Sequence, residues 1–349
     1  MTNKKLIDKL NKEKKLELKE WEQLLGTFTD EDRAYAGNIA RNIAVSKFGK
    51  KIFFRGIVEF TNICRNNCKY CGIRRGNKNL VRYRLTKNEI LDCCNDGYKA
   101  GYRTFVLQGG EDMFFTDEKM VDIISSIHEK YPDCAITLSI GERERESYEK
   151  FFKAGATRFL LRHETADEDH YNKLHPAELS WKHRMNCLKN LKDIGYQTGC
   201  GPMIGSPYQS VTTLAEDMVF MGEFKPAMIG TGPFIPHHDT PFKDFPSGNV
   251  NTTLMVLSLC RIMLPDVLLP ATTALGTAKN NGRQEGVLAG ANVIMPNLSP
   301  VNVRKNYMLY DHKKITGDDA GENLKLIQDN MKEIGYEVVI DKGDYKGSK

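Results

Sequence analysis

Between residues 52 and 295, short runs rich in Val, Ile, Phe and Leu alternate with amphipathic stretches, and this alternation limits the possible folds more than any other feature of the chain. The apolar runs cover 52–60, 104–108, 135–140, 158–162, 197–203, 227–232, 267–271 and 292–295. Apolar residues at helical spacing fill 87–99, 117–130, 144–154, 181–194, 211–223, 251–263 and 280–288. Strands separated by helices imply parallel βαβ units. Eight of them predict an α/β fold of the (β/α)8 TIM type, complete or nearly so, because a doubly wound sheet usually has fewer strands.

The flanks read differently. Residues 3–25 carry seven lysines among Leu6, Leu10, Leu16 and Leu18, the pattern of an exposed helix with a solvated charged face. Thr29 or Asp30 can cap a second helix running to about Phe48, with Ala36, Ile39, Ala40 and Ile43 as its inner stripe. After Pro300 the chain turns polar: 313–321 reads as a loop, and a helix at 322–334 with an apolar run at 336–340 reads as a packing appendage. The expected organisation is a helical extension (1–50), the barrel (51–300) and a C-terminal appendage on it (301–349).

Composition narrows the partners. With 40% apolar and 27% charged residues the chain is globular, and a net charge of +5 gives no ground for nucleic-acid binding. No apolar run approaches the ~20 residues of a membrane helix. The first five residues resemble a signal n-region but no apolar segment follows, so a cytoplasmic protein with no membrane contact is expected.

Nine cysteines, an odd number in so large a chain, argue for reduced thiols or metal ligands. Cys64, Cys68 and Cys71 form C-x3-C-x2-C in a loop directly after the first apolar run. Three thiolates this close can hold three corners of a cubane cluster and leave one iron open, since electron-transfer clusters usually take four. The competing reading is a zinc turn, which would need a fourth ligand; the next histidine is His128. Cys93, Cys94, Cys134, Cys187, Cys200 and Cys260 read as buried small apolar residues. Glycines and hydrogen-bonding side chains gather where the strands stop, at 108–111, 139–142, 162–165, 199–201, 230–232, 271–273 and 295–297, where barrels build active sites.

The cysteine spacing after a first strand, with Tyr70 before the last cysteine, resembles the radical S-adenosylmethionine (SAM) superfamily. The resemblance implies one [4Fe–4S] cluster on Cys64, Cys68 and Cys71. Its open iron would chelate SAM, and one electron would cleave SAM to methionine and a 5′-deoxyadenosyl radical. Chelation turns a bimolecular step into an oriented one. Gly109-Gly110-Glu111 resembles the superfamily's Gly-Gly-Glu element, in which glycines let the backbone approach the SAM ammonium. Arg162 and Glu164 share one strand face; Glu164 suits SAM's ribose or amino group, and Arg162 and Arg184 its carboxylate. A structural Arg–Glu pair at the rim is the alternative for the first two. Thr137 and Ser139 could add hydroxyl contacts.

Segments 55–64, 72–75, 160–166, 232–237, 270–274 and 292–297 narrow the resemblance to the [FeFe]-hydrogenase maturase family HydE, with biotin synthase and methylornithine synthase as relatives. This implies radical chemistry on a cysteine-bearing iron carbonyl–cyanide complex, alongside the sister maturases HydG and HydF. By motif position Arg158, Met228, Thr272, Thr273 and Met295 would line the substrate pocket and Tyr307 would lie against SAM, with ordinary barrel packing as the alternative for the methionines. Some family members carry a second cluster near the C-terminus; no cysteine follows Cys260, and 315–326 holds Thr, Gly, Asp and Glu instead, so none is expected. Residues 65–84 hold seven bases and no acid: either a solvated rim, or a positive mouth for anionic substrate or a flavodoxin or ferredoxin reductant. The remaining alternatives are a radical SAM enzyme acting on an organic amino acid and, outside enzymology, an iron–sulfur carrier.

Overall fold

The structure, a computed structural model, describes residues 1–314 and 320–347, with side chains at 320–323 left out. Its centre is a ring of parallel strands. Gly56–Thr61 pairs with Thr104–Gly109, and the sheet continues through Ala135–Ser139, Arg158–Leu160, Gln197–Cys200 and Met228–Ile229. The seventh run takes part through single bridges, Met228 with Leu268 and Pro270 with Val293. Val293–Ile294 then pairs with Lys51–Phe54, which closes the barrel. Register puts Ile57 beside Val106 and Glu59 beside Gln108. The first run, read as one strand over 52–60, is two strands broken at Arg55.

Alternation sorts the side chains. Val58, Phe60, Phe105, Leu107, Ile136, Leu138 and Phe159 join the main core between barrel and helices. The intervening residues, among them Glu59, Gln108, Thr137, Ser139, Arg158 and Leu160, therefore face the barrel interior. Helices Lys87–Lys99, Asp117–Lys130, Arg145–Lys153, Trp181–Ile194, Val211–Phe224 and Val250–Met263 follow successive strands. The stretch 280–288 forms the short helix Gly282–Leu288, and a further short helix that the periodicity did not show, Thr273–Ala278, precedes it. A helix the periodicity did not show, Glu168–Leu174, is capped by Asp167.

The N-terminal segment is not one exposed helix but two, Asn3–Glu13 and Leu18–Thr27, broken where Lys14 takes a left-handed conformation. Its lysines do face solvent, but Leu6, Ile7, Leu10, Leu16 and Trp21 are buried in the main core. Thr29 caps Asp30–Phe48 through the amide of Asp32. The buried stripe of that helix is Ala36, Ala40 and Ala44; Ile39 and Ile43 are only half-buried. Small residues there let the helix lie close against Val250–Met263.

After the barrel come Val301–Arg304, Ala320–Glu333 and the strand Glu337–Val339, which pairs with Lys51–Phe53 below the ring. Most of the loop read at 313–321, and part of the cysteine-free stretch 315–326, lies outside the described residues. No helix among the described residues is long and apolar enough to cross a membrane.

Candidate active site at the barrel mouth

The cysteine loop leaves the first strand at Thr61 and is tied down at many points. The Arg82 guanidinium donates to the carbonyls of Asn62, Ile73, Arg74 and Asn77 at 2.5, 2.8, 2.6 and 3.1 Å. Asn62 donates to Val81 O and Asn306 O and accepts from the Tyr83 amide. The amides of Arg65, Lys69 and Gly72 reach Glu111 O, Leu174 O and Leu309 O at 2.9, 3.0 and 2.8 Å. So few free backbone groups leave the three thiols held by a pre-shaped loop.

Burial pushes all three thiols up, Cys68 well above its ordinary value and Cys71 to about 12, and the charges of Cys64 and Cys71 each weigh on their neighbours. Thiols in this setting become thiolates when a strongly positive centre is bound. The donor set fits a cluster better than a single ion. A tetrahedral zinc, with Zn–S near 2.3 Å, brings its sulfurs to roughly 3.8 Å from one another. Among the described residues, the three-residue group with all ligand atoms within 4.8 Å is His237, His238 and Asp239, not the cysteines. The other six cysteines are buried away from the loop as small apolar side chains.

Around the loop, Gly110 has a defined reason. A Cβ there would lie 2.2 Å from Ile63 O and 2.7 Å from Cys64 Cβ, so only glycine lets the cysteine loop rest on the second strand's end. Gly109 is similarly tight against Thr61 Cγ2 at 2.8 Å. Glu111 is buried and engaged within the protein: its carboxylate accepts from Arg65 Nε at 3.0 Å and from the Glu142 amide at 2.9 Å. It links the cysteine loop to the third strand's end.

Glu164 is a non-glycine residue in the left-handed region, φ 65°. Its amide bonds to Gly201 O and its carbonyl accepts from the Met203 amide, and these bonds enforce the strained turn. Its Oε2 lies 3.1 Å from Arg162 Nη2, yet without hydrogen-bond alignment. Arg162 Nη2 donates to Pro202 O at 2.9 Å. Buried atoms with no hydrogen-bond partner in the protein include Glu164 Oε2, Arg162 Nε, Thr137 Oγ1 and Tyr171 OH. Such orphans in one mouth fit a polar ligand that carries donors and acceptors of its own, as SAM does. Ser139, one position pair above Thr137, stays half-buried beside Gln108.

Arg184 is less free than the sequence suggested. It is buried, ion-paired with Glu142, and donates through Nη1 to Arg162 O at 2.6 Å. Glu142 carries no signal in the sequence, because its partner lies on a helix of another βα unit. Tyr70 donates to His175 Nε2 at 3.2 Å, while His175 Nδ1 bonds to Tyr171 O, which fixes a neutral imidazole; burial lowers that histidine to about 3. Burial also pushes the Tyr70 phenol well up, with the charges of Glu164 and Cys68 adding to it, so Tyr70 stays neutral beside the thiols. Tyr307 is buried, with the Lys313 ammonium 4.7 Å from its ring.

The residues assigned to the substrate are more dispersed. Thr272 caps Thr273–Ala278, and its hydroxyl lies over Gly232, where a Cβ would approach to 2.7 Å. Thr273 accepts from Arg283 Nη2 at 3.3 Å, and Arg283 Nε is buried without a partner. Met295 is half-buried beside a lower apolar group of Phe53, Met228, Leu268 and Val293. Arg158 stands apart from the mouth: it is the first residue of its strand, fully buried, and paired with Asp344 at 2.6 Å. Sequence reasoning missed Glu59, held by Lys313 Nζ at 2.5 Å and Asn297 Nδ2 at 2.7 Å, and Tyr310, whose phenol is pushed up to about 12 by burial. A lone acid within an apolar strand was the available signal for Glu59.

Three of the seven bases in segment 65–84 are paired with acids from outside it. Arg65 pairs with Glu111, Arg75 with Glu178 and Arg84 with Asp112, and Arg82 is spent on carbonyls. These pairs leave less net positive charge at the mouth than the seven bases imply.

Comparison with known proteins agrees with this geometry. Residues 58–221 match the model of the radical SAM superfamily. The chain is 46% identical over 275 residues to the [FeFe] hydrogenase maturase subunit HydE of Thermotoga maritima, covering 79% of this chain and 78% of that one. It is 26% identical to 3-methylornithine synthase of Methanosarcina acetivorans, over 90% of this chain and 88% of the relative. The crystal structure of methylornithine synthase superposes with a TM-score of 0.83 over 96% of this chain and 97% of that one; at 24% identity this likeness speaks for the barrel fold alone.

Proposed function

The chain belongs to the radical SAM superfamily and, within it, to the HydE family of [FeFe]-hydrogenase maturases, and from that premise we propose that its substrate is a cysteine-bearing iron carbonyl–cyanide complex on the way to the hydrogenase diiron site. As a radical SAM hydrogenase maturase the enzyme uses a [4Fe–4S] cluster and SAM. Cys64, Cys68 and Cys71 would hold the cluster, which would supply the electron for reductive cleavage of SAM. We assign one cluster per chain, since no cysteine follows Cys260. Its reductant is a flavodoxin or ferredoxin, and it acts alongside HydG and HydF.

The chain's own residues divide the remaining work. Gly109 and Gly110 bring the cysteine loop onto the barrel, and Glu111 locks it through Arg65. Glu164, presented by its strained turn, receives the ribose or ammonium of SAM, and Arg162 binds its carboxylate through the unpartnered Nε. Arg184 orients Arg162 by holding its carbonyl, while Glu142 fixes Arg184. Thr137 and Ser139 offer hydroxyls from the third strand. Tyr70, its phenolic proton directed at His175, and Tyr307 supply neutral walls that keep water from the reacting atoms. Thr272 and Thr273 receive a carboxylate or cyanide of the substrate; Met228 and Met295 are its apolar walls.

The observation that carries this reading is the meeting, at one barrel mouth, of three free thiols on one tied-down loop with polar atoms of Glu164, Arg162 and Thr137 that have no hydrogen-bond partner. Anaerobic reconstitution should give about four irons per chain, and SAM should change the EPR signal of the reduced protein. A hydrogenase maturation assay with and without this chain then tests the substrate. Unchanged hydrogenase activity alongside intact SAM cleavage would transfer the enzyme to organic amino-acid chemistry.

A further inference from the structure

At the opposite end of the barrel, two buried arginines meet. Arg158 is fully buried and donates to Thr104 Oγ1 at 3.1 Å, Lys342 O at 3.0 Å and Asp344 Oδ1 at 2.6 Å. Arg55, at the break in the first strand, donates to Met228 Sδ at 2.9 Å and to Gly343 O at 3.4 Å. The two guanidiniums repel one another. Among the described residues, Asp344 is the carboxylate ion-paired with this couple.

The segment that brings Asp344 is threaded closely under the ring. Thr104 Oγ1 donates to Lys342 O at 2.9 Å, and Gln197 binds Asp344 Oδ1 through Nε2 and the Tyr345 amide through Oε1, both at 3.1 Å. Thr104, Arg158 and Gln197 are the first residues of three strands. Gly343 has φ +59°, and a Cβ on it would meet the Phe53 ring at 2.5 Å. Tyr345 and Val339 pack on the lower group that contains Met228. Arg162 lies four residues above Arg158, roughly 13 Å along the strand.

We propose that segment 341–345 is the floor of the reaction chamber and that Asp344 is a positioning residue for Met228. Asp344 takes up the charge of Arg158, which frees the Arg55 guanidinium to hold the Met228 thioether that faces the chamber. The floor thus fixes the depth at which a substrate can sit below the cluster end. This rests on the reading of Met228 as a chamber wall for the maturase reaction.

The test uses the anaerobically reconstituted full chain. In Asp344→Asn the two guanidiniums lose their counter-charge, and trypsin should cut after Lys342 roughly tenfold faster or more. The Met228 signal in a methyl-13C methionine spectrum should move, while that of Met120, on an outer helix, stays. The substrate KM should rise with kcat kept. The double variant Arg158→Met/Asp344→Asn, with both charges removed, should regain tryptic resistance to within about twofold of wild type. Wild-type resistance in Asp344→Asn, a double variant as labile as the single one, or a stationary Met228 signal would each overturn the proposal. Iron content and the SAM-dependent EPR change test the functional reading separately; both should be intact in Asp344→Asn.

Discussion

Replacing Gly110 with alanine asks the most of the site. The added methyl would lie 2.2 Å from Ile63 O and 2.7 Å from Cys64 Cβ. Carbon–oxygen contacts settle near ~3.3 Å, so backbone carrying the first cysteine must retreat by roughly 1 Å. Strain of this kind costs about 1–3 kcal/mol, which a domain of ordinary stability survives. Catalysis is less forgiving, because a 1 Å misplacement can lower a rate about 100-fold. Gly110→Ala should therefore remain folded by circular dichroism, take up less iron, and form deoxyadenosine about 100-fold more slowly. Gly37→Ala is the matched control: its Cβ meets nothing closer than Ser258 Oγ at 3.9 Å, within the helix Asp30–Phe48, so it should gain about 0.5–1 kcal/mol with activity kept. Full iron content and an unchanged rate in Gly110→Ala would refute the close-approach argument.

Three further outcomes follow from the same geometry. Cys68→Ser should lower the iron-to-protein ratio and abolish deoxyadenosine formation, as measured by chromatography. Glu142→Gln leaves Arg184 buried without its counter-charge; it should cost about 3 kcal/mol in chemical denaturation and weaken SAM binding. His163 is held neutral because its Nδ1 accepts the Gly201 amide, and burial lowers it to about 3. A histidine depressed in the folded state contributes stability that is present above its unfolded pKa, near 6.5, and is lost as pH falls towards 3. Melting temperature should fall between pH 6.5 and 4, and less steeply in His163→Gln.

The barrel was legible because its strands are continuous apolar runs between amphipathic helices, and such runs survive any choice of register. The cysteine loop was legible because three ligands lie within one turn of chain. The interruption at Arg55 was not, since a single arginine inside an apolar run carries no periodicity; its reason is Met228, on a distant strand. The N-terminal segment misled because lysines outnumber leucines there, although six buried aliphatic side chains and Trp21 decide its packing. Arg184 showed itself as a cation near the site, but its partner Glu142 is set by two neighbouring βα units meeting in space. Arg158 is the same lesson at longer range, because Asp344 arrives from the far end of the chain. The bases at 65–84 read as a charged surface until Glu111, Asp112 and Glu178, all from later in the chain, are set against them.

The ties from Asn306, Leu309 and Lys313 to Asn62, Gly72 and Glu59 have a bearing on biosynthesis. A ribosome emits residues 64–71 long before 306–313, so a growing polypeptide exposes its ligands with nothing yet fastened over them. In the finished chain the three thiols remain only half-buried, so the ties hold the loop in shape without sealing it from iron and sulfide. The loop therefore reaches its final shape only once residues 306–313 have been made and folded against it.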